Sequence, residues 1–290
     1  MQLTKNFIKA KNPCASGYRW FLREHRGEGE YQEILDALVA AGRVDDACWL
    51  LDQFGPTRTV LTLDSLETDA LVFAGTVIVR RSVHVEGLLR AGSSIRVGGG
   101  LRAGKAVVAG DDIECGATVT SGGEIRVGGN LRTGWGVQAD EGIHCGGEVR
   151  AQWEVEAAGD IQVAGNLRAG KDILAGADIR CSEGVRSDGS VRAGGEIVVE
   201  RGIQARGDIQ AGKAIEAGWG LAAGGDILAD GPIKAGEGIL AGGVIEPGAG
   251  HAVYAGLRVR MDAWEDAARV IAARRPDALV SGYWAEEAPA

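Results

Sequence analysis

The chain has 290 residues with a formal net charge of −9, 45% apolar residues, 5% aromatic residues, 47 glycines and six prolines. Glycine at more than twice its usual share, without a Gly-X-Y register, excludes collagen, and the apolar fraction is too high for a disordered chain. The acidic balance argues against wholesale coating of nucleic acid. No apolar run reaches the roughly 18 residues of a membrane span, and the start MQLTKNFIKAKNP has no signal-peptide hydrophobic region. Five scattered cysteines do not suggest a disulfide framework, so the expectation is a reducing, cytoplasmic setting without membrane attachment.

Residues 1–64 read as a helical segment. Asn12-Pro13-Cys14 followed by Gly17-Tyr18-Arg19-Trp20-Phe21 predicts a short leading helix. Glu30 to Ala41 carries apolar residues at helical spacing and ends at Gly42. A further helix is expected from about Val44 to Phe54, with Ala47, Leu50 and Leu51 inward, before Gly55-Pro56 stops it. This segment is either a cap over the rest of the chain or a docking module.

From Leu71 to Ile245, thirty consecutive positions at steps of six are Leu, Ile or Val without exception. Two places later the residue is small or modest, as in Ala103, Ala109, Cys115 and Ser121, and glycine clusters just beyond. This pattern describes a short strand with residues i and i+2 inward, then a corner at which glycine supplies unusual backbone angles. Period six and recurrent glycine do not fit a helix. Such strands cannot bury a face alone, but coiled into rungs each stacks on its copy about 4.8 Å away. Residues 65–250 are therefore predicted to form a mainly β, parallel β-solenoid. Trp135 and Trp153, 18 apart at one hexad place, favour a triangular 18-residue rung over a flattened 12-residue one. Val127, Val163 and Val199, and likewise Asn130 and Asn166, recur at 36 and fit either. With 18, about ten rungs make a rod about 45–50 Å long.

Residues 251–290 are expected to cap the far end, with one amphipathic helix from Met261 to Arg274 and Tyr283-Trp284 tucked against the rod.

The hexads over about 71–247 resemble those of bacterial β-solenoid proteins, bactofilins and hexapeptide-repeat proteins among them. Likeness to hexapeptide acyltransferases would imply acyl transfer, but in those enzymes the small residue usually stands four after the aliphatic one, whereas here it stands two after. Their protruding loop with a catalytic histidine also has no counterpart, because no hexad is interrupted.

No catalytic set, cofactor site or metal site emerges. His25, His84, His144 and His251 match no ligand spacing. Cys115, Cys145 and Cys181 sit at the inward i+2 place as small fillers, and Cys14 and Cys48 read as core of the helical segment. The glycine clusters lack the strand–loop–helix context of a phosphate loop. Acids prefer i−1 (Asp112, Asp160, Asp178, Asp208) and arginines prefer i+1 (Arg90, Arg126, Arg180, Arg192), both read as solvent-facing neighbours that aid solubility and register. Under the 18-residue register Arg132, Arg150, Arg168 and Arg186 stack on one face with Trp135 and Trp153 at its margin. Such a column is either neutralised by Glu148 and neighbouring acids or available to a partner, and Trp and Arg are enriched in binding hot spots.

Three functions are expected from these features. The first is a non-catalytic scaffold that binds another protein along its face, as an inhibitor or immunity-type factor would. The second is a self-assembling structural element, which the bactofilin resemblance implies. The third is an acyltransferase, against which the unbroken hexads speak. Flanks before and after the rod are expected to block head-to-tail growth, giving a monomer or small oligomer rather than a filament.

Overall fold

The structure is a computed structural model, and it describes residues 1–259 and 263–285. Three parallel sheets of 13, 12 and 11 strands run the length of a triangular rod. Each rung contributes one short strand, mostly of three residues, to each sheet, and through the hexads the register steps by 18: Leu101 pairs with Val119, Val107 with Ile125, and Ile113 with Leu131. The 18-residue rung is thus observed. Burial follows the hexad, with i and i+2 inward and i+1 facing out; Ile161 and Ile173, for instance, are fully buried. The inward aliphatic residues merge into one continuous core from Phe73 to Ala272.

The rod has about twelve rungs rather than ten. The added turns lie at both ends, where the step is irregular and a search at fixed period misses them. Val60 pairs with Thr76 and Leu66 with Val83, whereas beyond the hexads Ile233 pairs with Val253 and Ile239 with Val270. At about 4.8 Å per rung the rod is about 55 Å long.

The expected helix from Met261 to Arg274 is corrected. Met261 and Asp262 lie outside the described residues; the helix covers Trp264–Ala267 only and gives way to the strand Arg269–Ile271, which extends the 13-stranded sheet. Val270 and Ile271, read as part of a helical stripe, instead alternate across a strand with Val270 fully buried. Tyr283–Trp284 pairs beside that strand, and Trp284 packs on the core as expected.

Corner glycines are also corrected. The glycines with positive φ (Gly27, Gly42, Gly55, Gly250, Gly256 and Gly282) all lie outside the hexads. Room decides the repeat glycines: a Cβ on Gly128 would overlap the carbonyl oxygen of Gly110 in the rung before. Successive rungs approach too closely there for a side chain.

The N-terminal segment holds four helices, α1 (Lys5–Ala10), α2 (Ala15–Glu24), α3 (Tyr31–Ala40) and α4 (Val44–Phe54). An antiparallel strand pair, Gln2–Thr4 with Glu28–Glu30, ties them together. They share a second core around Tyr31, Ile34, Leu35 and Leu50, which extends onto Val72 and Ala74 of the rod. Gln32 of α3 makes the junction specific. Its amide nitrogen donates to Val72 O (3.1 Å) and its amide oxygen accepts from Ala74 N (2.9 Å). One side chain thereby occupies the edge of the first strand of the 12-stranded sheet as a neighbouring strand would. The outer edges of Val60–Leu63 and Leu66–Thr68, first in the other two sheets, have no partner strand among the described residues.

Candidate functional site

The 13-stranded sheet carries the arginine column. Arg132 pairs in register with Arg150, Arg150 with Arg168, and Arg168 with Arg186, so all four project from one face on successive rungs. The column then loses its charge: Gln204, Ala222 and Leu240 occupy the next three rungs.

Neutralisation is partial. Arg132 donates to Glu148 Oε1 at 2.9 Å, and that hydrogen bond raises the guanidinium pKa. Arg96, two rungs earlier, lies 3.6 Å from Glu114. Arg150, Arg168 and Arg186 have no carboxylate within 4.0 Å among the described residues. The acids beside them are taken: Asp188 pairs with Arg206 at 3.3 Å, and Glu183 with Arg201 at 3.4 Å. Three like charges about 4.8 Å apart are unfavourable without an answering group. Of the four residues proposed from the sequence, Arg132 belongs to an ion pair and the other three remain open.

Arg150, Arg168 and Arg186 line a shallow groove of about 630 Å³. Along one side of it the residue just before each strand changes in character. That place holds Asp112, Asn130, Glu148 and Asn166 in earlier rungs, and then Gly184, Gly202, Gly220 and Gly238. Asn166, Gly184, Gly202 and Gly220 line the groove on that side, with Ala222 and Leu240 at its uncharged end.

Trp135 (66% exposed) and Trp153 (52% exposed) stand at the corner on one side of this face, with Lys171 over the Trp153 ring at 5.1 Å. Trp219 (52% exposed), with Arg201 at 5.4 Å from its ring, stands at the opposite corner. Sequence reasoning missed Trp219. It shares the hexad place of Trp135 but not its 18-residue phase, which moves it to the other edge.

The acids at i−1 do neighbour arginines, as expected, with Arg126 2.8 Å from Glu124, Arg180 2.9 Å from Asp178 and Arg192 3.2 Å from Asp208, and the aspartates among them also serve as structural caps. Asp112 Oδ1 accepts from Asn130 N (2.7 Å), and Asn130 Oδ1 from Glu148 N (2.9 Å). A second ladder passes from Asp172 to Ser190, Asp208, Asp226 and Val244 N. Each side chain satisfies a backbone N–H one rung on, which the corner would otherwise leave without a partner. The inward Cys115, Cys145 and Cys181 are buried, as expected of fillers, and also donate to corner carbonyls (Gly99 O, 2.9 Å; Gly129 O, 3.1 Å; Gly165 O, 3.0 Å). Burial pushes all three thiols up in pKa. Among the described residues no His, Cys, Asp or Glu group has metal-site geometry, and no helix is long and apolar enough to cross a membrane.

Residues 1–55 match the family described as the YdhT N-terminal domain. The match covers the four helices and leaves the rod unassigned; neither a bactofilin nor a hexapeptide-repeat family is identified there. No curated protein and no solved structure matches the chain.

Proposed function

We propose that this chain is a non-catalytic binding scaffold whose 13-stranded face engages another protein, as an inhibitor or immunity-type factor would. The supporting observation is the in-register stack of Arg150, Arg168 and Arg186, unanswered by acids and lining an open groove on an otherwise acidic protein. A rigid rod loses little entropy on docking, so a few fixed anchors suffice for useful affinity. Trp135 and Trp153 supply apolar anchors at the margin.

The test compares capture of binding proteins from the native cell by the parent and by Arg150→Glu/Arg168→Glu. Both side chains point outward, so the melting temperature is expected to stay unchanged while capture weakens at least tenfold, about 1.4 kcal/mol. Undiminished capture would place the interface elsewhere.

Self-assembly is the second reading, and one observation favours it. The outer edges of Val60–Leu63 and Leu66–Thr68 carry no partner strand among the described residues, and Val60 is 56% exposed. Open edges are templates for pairing. Filaments of the intact chain in negative-stain micrographs would put this reading first.

A further inference from the structure

We infer that the groove beside Arg150, Arg168 and Arg186 receives an α-helix of the partner, lying along the rod with one acidic residue per turn at one end and apolar residues at the other. The inference rests on the binding-scaffold reading and adds the shape and chemistry of what is bound.

Spacing makes the first argument. Consecutive rungs are about 4.8 Å apart, whereas an extended strand repeats its side-chain direction about every 6.8 Å. A helix repeats about every 5.4 Å. Across the two intervals from Arg150 to Arg186 an axial helix drifts from the arginines by only about 1.2 Å, against about 4 Å for a strand. Flexible guanidinium groups absorb the smaller mismatch. Acids at i, i+4 and i+7 then meet three arginines in turn.

Length and polarity make the second. From Arg150 to Leu240 is five rungs, about 24 Å, which accommodates about 16 helical residues. Along that path the column changes from three unpaired arginines through Gln204 to Ala222 and Leu240. Gly202 and Gly220, which have no side chains, line the groove over the same interval. Trp219, half exposed, stands at the corner just before Gly220 and Leu221, which line the uncharged end. A cationic half and an apolar half in line select an amphipathic helix whose acidic turns precede or succeed its apolar ones. Nucleic acid would answer the arginines but not the apolar half.

The experiment uses the full chain and two synthetic 16-residue peptides of identical composition. One has Glu at positions 1, 5 and 8 and Leu at 12 and 15 on a helix-favouring background; the other is the same residues in scrambled order. Binding is read by fluorescence anisotropy. The patterned peptide is expected to bind at least tenfold more tightly than the scrambled one. Gly202→Asn refills the groove with a residue its own column accepts at Asn130 and Asn166, and it should remove that preference; Leu240→Asp, at an outward place, should do the same. Equal binding of both peptides, or of neither, overturns the helix. If charge reversal at Arg150 and Arg168 still weakens capture from the cell at least tenfold, the scaffold reading survives that failure; if capture is undiminished, both fall.

Discussion

The carboxylate of Asp178 accepts a hydrogen bond from the backbone N–H of Glu196, one full turn of the rod away, at 2.8 Å. That bond, together with Arg180 2.9 Å from the other carboxylate oxygen, holds the Asp178 pKa below its ordinary value. A depressed carboxylate contributes stability above its unfolded pKa of about 4, and the contribution is lost as pH falls through the folded value. Asp178→Asn keeps the oxygen that receives the N–H but loses the charge. Its melting temperature should fall below the parent's at pH 7, with the gap narrowing below about pH 4. Asp178→Ala removes the bond as well and is expected to cost about 1 kcal/mol more. Calorimetry from pH 7 to pH 3 checks both, and a gap that does not change with pH would contradict the assignment.

Inward and outward places should respond oppositely to charge. Ile161 is fully buried between Ile143 and Ile179. Ile161→Asp strands a carboxylate there and should cost at least about 3 kcal/mol. Gln162→Asp, one residue on and exposed, should fall within about 0.5 kcal/mol of the parent. Chemical denaturation of the two variants side by side makes the comparison.

Gln32 is expected to guard one sheet edge. In Gln32→Ala the Ala74 N–H and Val72 carbonyl lose their partner while still covered by α3 and α4. Hydrogen exchange at Ala74 should quicken at least tenfold, with amides near Ile161 unaffected. Gln32→Glu still accepts from Ala74 but cannot donate to Val72, so its effect should be intermediate.

Thiol reactivity should divide the five cysteines. Cys14 is exposed, Cys48 is partly covered and Cys115, Cys145 and Cys181 are buried. Burial raises the thiol pKa of the last four and lowers their thiolate fraction. Native protein at neutral pH should therefore show one fast-reacting thiol, and all five should react once the chain is unfolded. A fast reaction at Cys145 would mean that the rod opens locally.

The rod is legible in the sequence because its hydrophobic signal has no phase errors from Leu71 to Ile245, and the spacing of Trp135 and Trp153 points to the turn length. From there the stacking of Arg132 through Arg186 is a matter of arithmetic. The terminal rungs are hidden because residues such as Val253 and Val270 enter the same sheets after insertions that break the count. The partition of the arginine column is hidden too. Arg132 finds Glu148, 16 residues on, only because the corner turns the glutamate toward it, and a hexad alignment places acids near every arginine alike. The ladder of Asp112 and Asn130 carries a signal that could have been found: residues that share the ability to accept through Oδ1 recur there, and Ser190 fills an equivalent place.

Eighteen residues to a turn and three sheets to a turn give the chain an index as well as a shape. Deleting one whole turn, for instance between Arg150 and Arg168, would shorten the rod and leave every later side chain on its own face. Deleting a single hexad at the same point would keep each inward residue inward, yet carry Arg168 and Arg186 round by a third of a revolution onto the sheet of Ile161. Core formation is indifferent to multiples of six, whereas the surface pattern keeps its meaning only in multiples of eighteen. Length in this molecule can therefore vary by duplication or loss without erasing what its faces display, provided the change comes in whole revolutions.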